Sequence, residues 1–224
     1  MKDGLELKHY FETLGMTTAD RQVRLLAMLS AVVALCRREL SEAILFYLRK
    51  SDIAVDAIYE TIIQSYLFLG FPRAIEALLV FNQVFGDRKN IGIINEVSAQ
   101  EIRVWSRDGL RLCRQIYGKN YENLRKRFSL ISPEIFRWMV IEGYGKVLSR
   151  SGLTKIEREL AEVAALIVDK RERQLVSHVL GSLNVGADLC LLKKVNNDIR
   201  PLAGEEAYDI ADKVICSIEE KYDA

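Results

Sequence analysis

One glutamate and one histidine in the second half of the chain have a spacing that would allow them to meet. Glu159 and His178 lie on two consecutive helical patterns that join at about residues 169–171. If these helices fold back antiparallel, the two residues are offset by about three positions, or roughly 4.5 Å along the axis. A carboxylate beside an imidazole orients the ring and raises its pKa, which suits acid–base chemistry near neutral pH. The spacing therefore predicts a candidate catalytic pair.

Both residues also have a purely structural interpretation. His178 lies between Leu175 and Val179 at the edge of an apolar face, where a lone histidine is commonly a hydrogen-bonded core or interface residue. Glu159 stands next to Arg158 and could simply pair with a cation. The sequence leaves both interpretations open.

A second group of candidates lies in the first half of the chain. Glu60 and Gln64 are one helical turn apart on the same face, and Tyr66 follows just before a turn at residues 70–73. These side chains could line a small-molecule pocket. Alternatively, they form an ordinary helix contact that is followed by a helix stop signal.

A basic segment at residues 111–128 carries aromatic side chains between its arginines and lysines. Such a segment could steer an anionic substrate or contact nucleic acid, although a solvated helix face is the simpler interpretation. The formal net charge of the whole chain is +1, which predicts no general attraction to nucleic acid. We therefore expect no nucleic acid as a partner, and steering of a small anionic substrate stays open beside the solvated helix face.

Several kinds of catalytic and metal site are excluded by composition. The only histidines are His9 and His178, so one chain cannot form a site with several histidine ligands. HExxH, P-loop, zinc-finger and GxSxG patterns are absent. The four cysteines never form a Cys-x-x-Cys pair, which favours free thiols in a reducing cytoplasm. The sequence thus predicts no metal and no cofactor.

The elements that must position these residues are helices. Apolar residues recur at steps of three and four, and strand alternation bounded by hairpin turns is absent. Gly70 and Gly86 are expected to end helices. We therefore predict an all-α fold, whose helix-capping residues are Thr17, Ser98, Ser132 and Thr154.

Length and composition set the remaining limits. The chain has 224 residues, of which 50% are hydrophobic, and this excludes a disordered chain or a disulfide-stapled miniprotein. The longest apolar run, residues 25–36, is shorter than the roughly 20 residues that span a bilayer. No secretory signal is visible at the N-terminus. We expect a cytoplasmic protein with no membrane partner.

The two halves share signals that indicate an internal duplication. A Thr-x-x-acid-Arg pattern occurs at residues 17–21 and 154–158, and each copy precedes a long apolar helix and a charged cluster. We predict a first repeat at residues 1–90, a connecting helical segment at 91–131 and a second repeat at 132–224. Together they would form one intertwined globular unit.

Short motifs in both halves carry a resemblance to a known family. In the second half they are residues 144–153, residues 157–160 and residues 175–187, which include His178. In the first half they are Glu60-x-x-x-Gln64 and residues 70–74. The chain thereby resembles the carboxymuconolactone decarboxylase family, which includes the alkylhydroperoxidase D-like proteins. This resemblance implies a duplicated helical-repeat bundle and a homo-oligomer, as a dimer or a trimer.

The resemblance also implies an activity. His178 and Glu159 would be the catalytic residues of a cofactor-free lyase that acts on a small carboxylate or lactone. The family's peroxidase branch has cysteines where Arg171 and Gln174 stand here, so its redox disulfide cannot form. Peroxidase activity is therefore a disfavoured alternative, and a non-catalytic binding or assembly protein is another. The residues implied in substrate binding are Glu60, Gln64, Tyr66, Arg73, Tyr144 and Arg158.

Overall fold

The computed structural model describes residues 10–11, 19–86 and 96–222. Within these ranges the regular structure is helical and no strand occurs, which confirms the all-α prediction. The chain divides into two compact units, one formed by residues 1–87 and 152–224 and the other by residues 88–151. Residue 132, the predicted start of the second repeat, lies inside the second of these units, and the duplication itself stays a prediction.

Besides α-helices, the described residues include a π-helical segment at Met139–Val147 and a short 3₁₀ turn at Gly118–Asn120. In chain order the α-helices are α1 Arg21–Leu35, α2 Arg38–Arg49, α3 Val55–Phe85, α4 Ala99–Tyr117, α5 Tyr121–Ile131, α6 Pro133–Trp138, α7 Lys155–Val168, α8 Glu172–Asn184, α9 Leu189–Ala203 and α10 Glu205–Tyr222.

Helices α1 and α7 form the centre of the first unit. Nearly every residue of α1 is buried, because one face packs against α2 and α3 while Val23, Ala27 and Ala31 face α7 and α9. Helix α7 contributes Leu160 and Ala164 to the same apolar cluster. Small alanine side chains let the two backbones approach closely, so the core of this unit joins residues from both ends of the chain.

Helix α3 has a sharp turn at Gly70, where φ is +78°. A side chain at that φ is strained, which is why glycine occupies the position, and Pro72 suits the first turn of the helix that resumes. By length and composition α3 is the one described helix that could cross a membrane, and 28% of its most apolar window is buried. The turn at Gly70 divides it into two segments, each shorter than the roughly 20 residues that a span requires.

Close packing of glycines holds the second unit together. Helix α4 lies against the π-helical segment, and a Cβ on Gly109 would sit 2.0 Å from the carbonyl oxygen of Val140. A Cβ on Gly145 would sit 2.1 Å from the carbonyl oxygen of Trp105. The two glycines therefore allow a backbone approach that no larger residue permits.

Most of the predicted helix caps are confirmed. Ser98 and Thr154 each form a capping box with the glutamate three residues later, and the Ser132 hydroxyl accepts from the amide of Ile135. Thr17 lies outside the described residues. Helix α9 continues through Pro201, which falls in its last turn, and the chain leaves the helix at Gly204.

Candidate functional site

The cap at Thr154 fixes the start of the helix that carries the main candidate. The Thr154 side chain accepts a hydrogen bond from the amide of Glu157, and the Glu157 carboxylate accepts one from the amide of Thr154. Helix α7 then runs to Val168, and α8 folds back against it. Glu159 on α7 thereby comes to lie opposite His178 on α8.

The structure brings Glu159 and His178 together, at the separation that the helix spacing allowed. Nδ1 of His178 lies 3.1 Å from Oε2 of Glu159, and both side chains are buried. This contact selects Nδ1 as the nitrogen that donates to the carboxylate, which leaves Nε2 as the nitrogen for proton transfer. The His178 ring also packs against Phe68 in a T-shaped arrangement, with centroids 5.2 Å apart.

A second carboxylate, which sequence reasoning missed, belongs to the same cluster. Oε2 of Glu162 lies 2.9 Å from Nδ1 of His178, although its alignment is too poor for a hydrogen bond. Glu159 and Glu162 are three residues apart and therefore share one face of α7. The available signal was another glutamate, three residues on, with apolar residues on both sides of it in the sequence.

Burial and mutual repulsion shift the proton equilibria of this cluster. Burial, and then the charge of Glu159, raise the pKa of Glu162 to about 7. Burial lowers the pKa of His178, but Glu162 and Glu159 outweigh that effect and hold it well above its usual value of 6.5. His178 and Glu162 therefore influence each other's proton equilibria.

Three of the residues predicted to bind substrate contact one another instead in a separate buried cluster. The guanidinium of Arg158 donates to Oε1 of Gln64 at 2.9 Å and to Oε2 of Glu60 at 3.2 Å. Gln64 in turn donates to the backbone carbonyl of Arg158 at 3.1 Å. These hydrogen bonds connect α3 to α7, although the bonded residues are more than 90 positions apart in the sequence.

The other predicted binding residues make contacts of their own. Tyr66 stacks on Phe71 with centroids 4.8 Å apart, and Arg73 pairs with Asp169 at 2.6 Å. Tyr144 belongs to the second unit, where it is buried against Tyr117. A substrate role for any of them stays a prediction.

A partly open cleft of about 190 Å³ lies elsewhere in the first unit. Arg73 is the one predicted site residue in its wall, and neither Glu159 nor His178 lines it. Cys36 also lines the cleft, as an exposed free thiol at the end of α1. The complete lining consists of Val33, Cys36, Arg38, Ser41, Arg73, Glu76, Ala77 and Val80.

Among the described residues, one group of side chains has the chemistry of a metal site. The ligand atoms of Glu159, Glu162 and His178 all lie within 4.8 Å of one another. The presence of only two histidines excludes a metal site with several histidine ligands, but it does not exclude a site with one histidine and two carboxylates.

Comparison with known proteins leaves the family unassigned. No protein-family model matches this chain, and no curated protein matches it. The resemblance to the carboxymuconolactone decarboxylase family therefore stays an expectation from sequence motifs, whereas the all-helical fold and the buried His178 cluster are features of the structure.

Proposed function

We propose that this chain is a carboxymuconolactone decarboxylase-like protein whose His178 and Glu159 carry out acid–base chemistry on a small carboxylate or lactone. The observation that carries this proposal is the buried contact of 3.1 Å between Nδ1 of His178 and Oε2 of Glu159. A carboxylate in that position holds the imidazole in one orientation and stabilises its protonated form. Such a pair is suited to donating a proton to an enolate or to a leaving group.

The arrangement of the first unit supports the family part of the proposal. Two buried central helices, α1 and α7, pack against each other, and each is followed by a second helix after a short connection. This order is what a fused double repeat would produce. Peroxidase activity remains disfavoured, since Arg171 and Gln174 stand where that chemistry needs cysteines.

A non-catalytic binding or assembly protein is the second candidate. The observation that favours it is the burial of the cluster, because only 7% of the His178 surface is exposed and Phe68 packs against the ring. A buried histidine of this kind can have a purely structural role, as a hydrogen-bonded residue of the core. The homo-oligomer, the cytoplasmic location, and the anionic partner without nucleic acid or membrane also stay predictions.

The test is turnover of a panel of carboxylated lactones and β-keto acids. We expect His178→Ala and Glu159→Gln to reduce turnover of any accepted substrate by about 100-fold or more, the usual contribution of a positioned acid or base. Glu157→Gln is the matched control, because it makes the same charge change on the same helix. Glutamine can also complete a capping box, so the helix start is kept.

Two outcomes would reject the catalytic proposal. Turnover that is unchanged in His178→Ala would remove the histidine from the mechanism. No turnover of any substrate by the wild-type chain would leave the binding or assembly protein as the better description. Circular dichroism of each variant shows whether the helices remain.

A further inference from the structure

The three side chains of the His178 cluster are spaced like ligands of a single ion. Nδ1 of His178 lies 2.9 Å from Oε2 of Glu162 and 3.1 Å from Oε2 of Glu159. Two ligands that each bind an ion at roughly 2.1 Å are about 3.0 Å apart at the 90° angle of an octahedral ion, and about 3.4 Å apart at the tetrahedral angle that Zn²⁺ prefers. Both measured distances are close to this range, and the ligand atoms of all three side chains lie within 4.8 Å of one another.

Several buried carboxylate oxygens of this cluster have no hydrogen-bond partner. They are Oε1 of Glu159 and both Oε1 and Oε2 of Glu162, whose side chains are 1% and 0% exposed. The one hydrogen on Nδ1 of His178 can satisfy a single acceptor, and it is directed at Glu159. Leaving the other oxygens buried without a partner is costly, and a cation among them would remove that cost.

We infer that Glu159, Glu162 and His178 form a binding site for one divalent transition-metal ion, of the class of Zn²⁺ or Mn²⁺. An imidazole nitrogen favours a transition metal over Mg²⁺ or Ca²⁺, which prefer oxygen ligands. The two carboxylates supply the charge that balances the ion.

The supporting helices give the site its rigidity. Glu159 and Glu162 project from one face of α7, and α8 is packed along it with His178 in register. The Ser182 hydroxyl donates to the backbone carbonyl of His178 at 2.8 Å, one turn further along α8. Three protein ligands leave coordination positions for water or for a substrate oxygen, as in catalytic metal sites.

This inference does not depend on the proposed function. An ion bound to Nδ1 takes the place of the hydrogen that this nitrogen directs at Glu159. The metal-bound and acid–base states of the cluster therefore exclude each other. Binding is measured without any substrate, so metal uptake without turnover would reject the proposed function alone, and turnover without metal uptake would reject this inference alone.

The experiment is metal analysis of full-length protein purified without a histidine tag. The chain is expressed with added Zn²⁺, and a second sample is stripped with a chelator and reloaded with Zn²⁺ or Mn²⁺ by dialysis. We expect one ion per chain and a higher thermal midpoint, because an ion that binds only the folded state stabilises it. Glu162→Gln and His178→Ala should each weaken Zn²⁺ binding more than tenfold.

The control is Glu157→Gln, which should keep its Zn²⁺. Absence of metal from the wild-type chain would overturn the inference, and so would equal Zn²⁺ in Glu162→Gln and Glu157→Gln. If a variant does not fold, the metal content and the thermal midpoint of the wild-type chain still test the inference. Electron-spin-echo spectra of the Mn²⁺-loaded protein should show coupling to an imidazole nitrogen, and spectra without that coupling would exclude His178 as a ligand.

Discussion

At the scale of single residues, the most consequential contacts are polar groups buried in the first unit. The Arg158 guanidinium is 3% exposed and contacts Glu60 and Gln64, which lie more than 90 positions earlier in the chain. Buried charges of this kind are costly to desolvate, so they are stable only as a complete set. The cluster therefore fixes how α7 lies against α3 more strictly than apolar packing alone would.

We expect Arg158→Met and Glu60→Gln each to lower the free energy of unfolding by about 3 kcal/mol, because each removes one partner of a buried ion pair. The double variant should cost less than the sum of the two, by about 1–3 kcal/mol. Urea unfolding followed by circular dichroism measures all four proteins. Arg125→Met, which breaks an exposed pair with Glu122, is the control and should cost less than about 1 kcal/mol. Additive effects of the two buried substitutions would contradict the assigned coupling.

At the scale of elements, the second unit depends on how closely α4 approaches the π-helical segment. Gly109 and Gly145 allow backbone atoms of the two elements to touch, whereas a Cβ on Gly143 would meet nothing within 4 Å. The sequence around Gly109 gives no reason for a glycine inside this helix. The reason is the carbonyl of Val140, which lies on the other element.

Gly109→Ala should destabilise the second unit by about 3 kcal/mol, since the new methyl group overlaps backbone that cannot move without separating the two elements. Gly143→Ala is the matched control and should change stability by less than about 1 kcal/mol. Both tryptophans of the chain, Trp105 and Trp138, lie in this unit, so their fluorescence during urea unfolding reports on it directly. Equal effects of the two substitutions would show that α4 does not approach as closely as described.

At the scale of the whole molecule, the first unit is built from the two ends of the chain. Arg24 on α1 donates from Nε and Nη2 to the two carboxylate oxygens of Asp198 on α9, at 2.6 Å each. Both side chains are less than 10% exposed, and Tyr10 donates to the backbone carbonyl of Asp198. This buried bidentate pair ties residues 19–86 to residues 152–222.

Arg24→Met should therefore lower the free energy of unfolding by about 3–5 kcal/mol, because it leaves the Asp198 carboxylate buried without its cation. Hydrogen exchange should speed up together in α1 and α9, since the two helices belong to one cooperative core. Arg21→Met is the control on the same helix, because Arg21 pairs with the exposed Asp52. Faster exchange confined to α1 would contradict a single core.

Much of the fold could be predicted from sequence because its causes are local. Helix periodicity, the hydroxyl caps at Ser98 and Thr154, and the turn at Gly70 depend on residues within about four positions of each other. The Glu159–His178 contact was also predictable, because α7 and α8 are consecutive and their connection is short. Glu162 was missed, because its apolar neighbours indicate burial but do not show which side chain it meets.

The sequence by itself therefore determined that this chain is helical, where most helices begin and end, and that Glu159 can reach His178. Only the tertiary structure decided that Glu162 joins this pair and that Arg158 is held by Glu60 and Gln64. It also decided that α1 and α7 share one core. The physical reason is range: helix propensity and capping act within one or two turns, whereas burial, pairing of charges and close backbone approach depend on packing between segments about 100 residues apart.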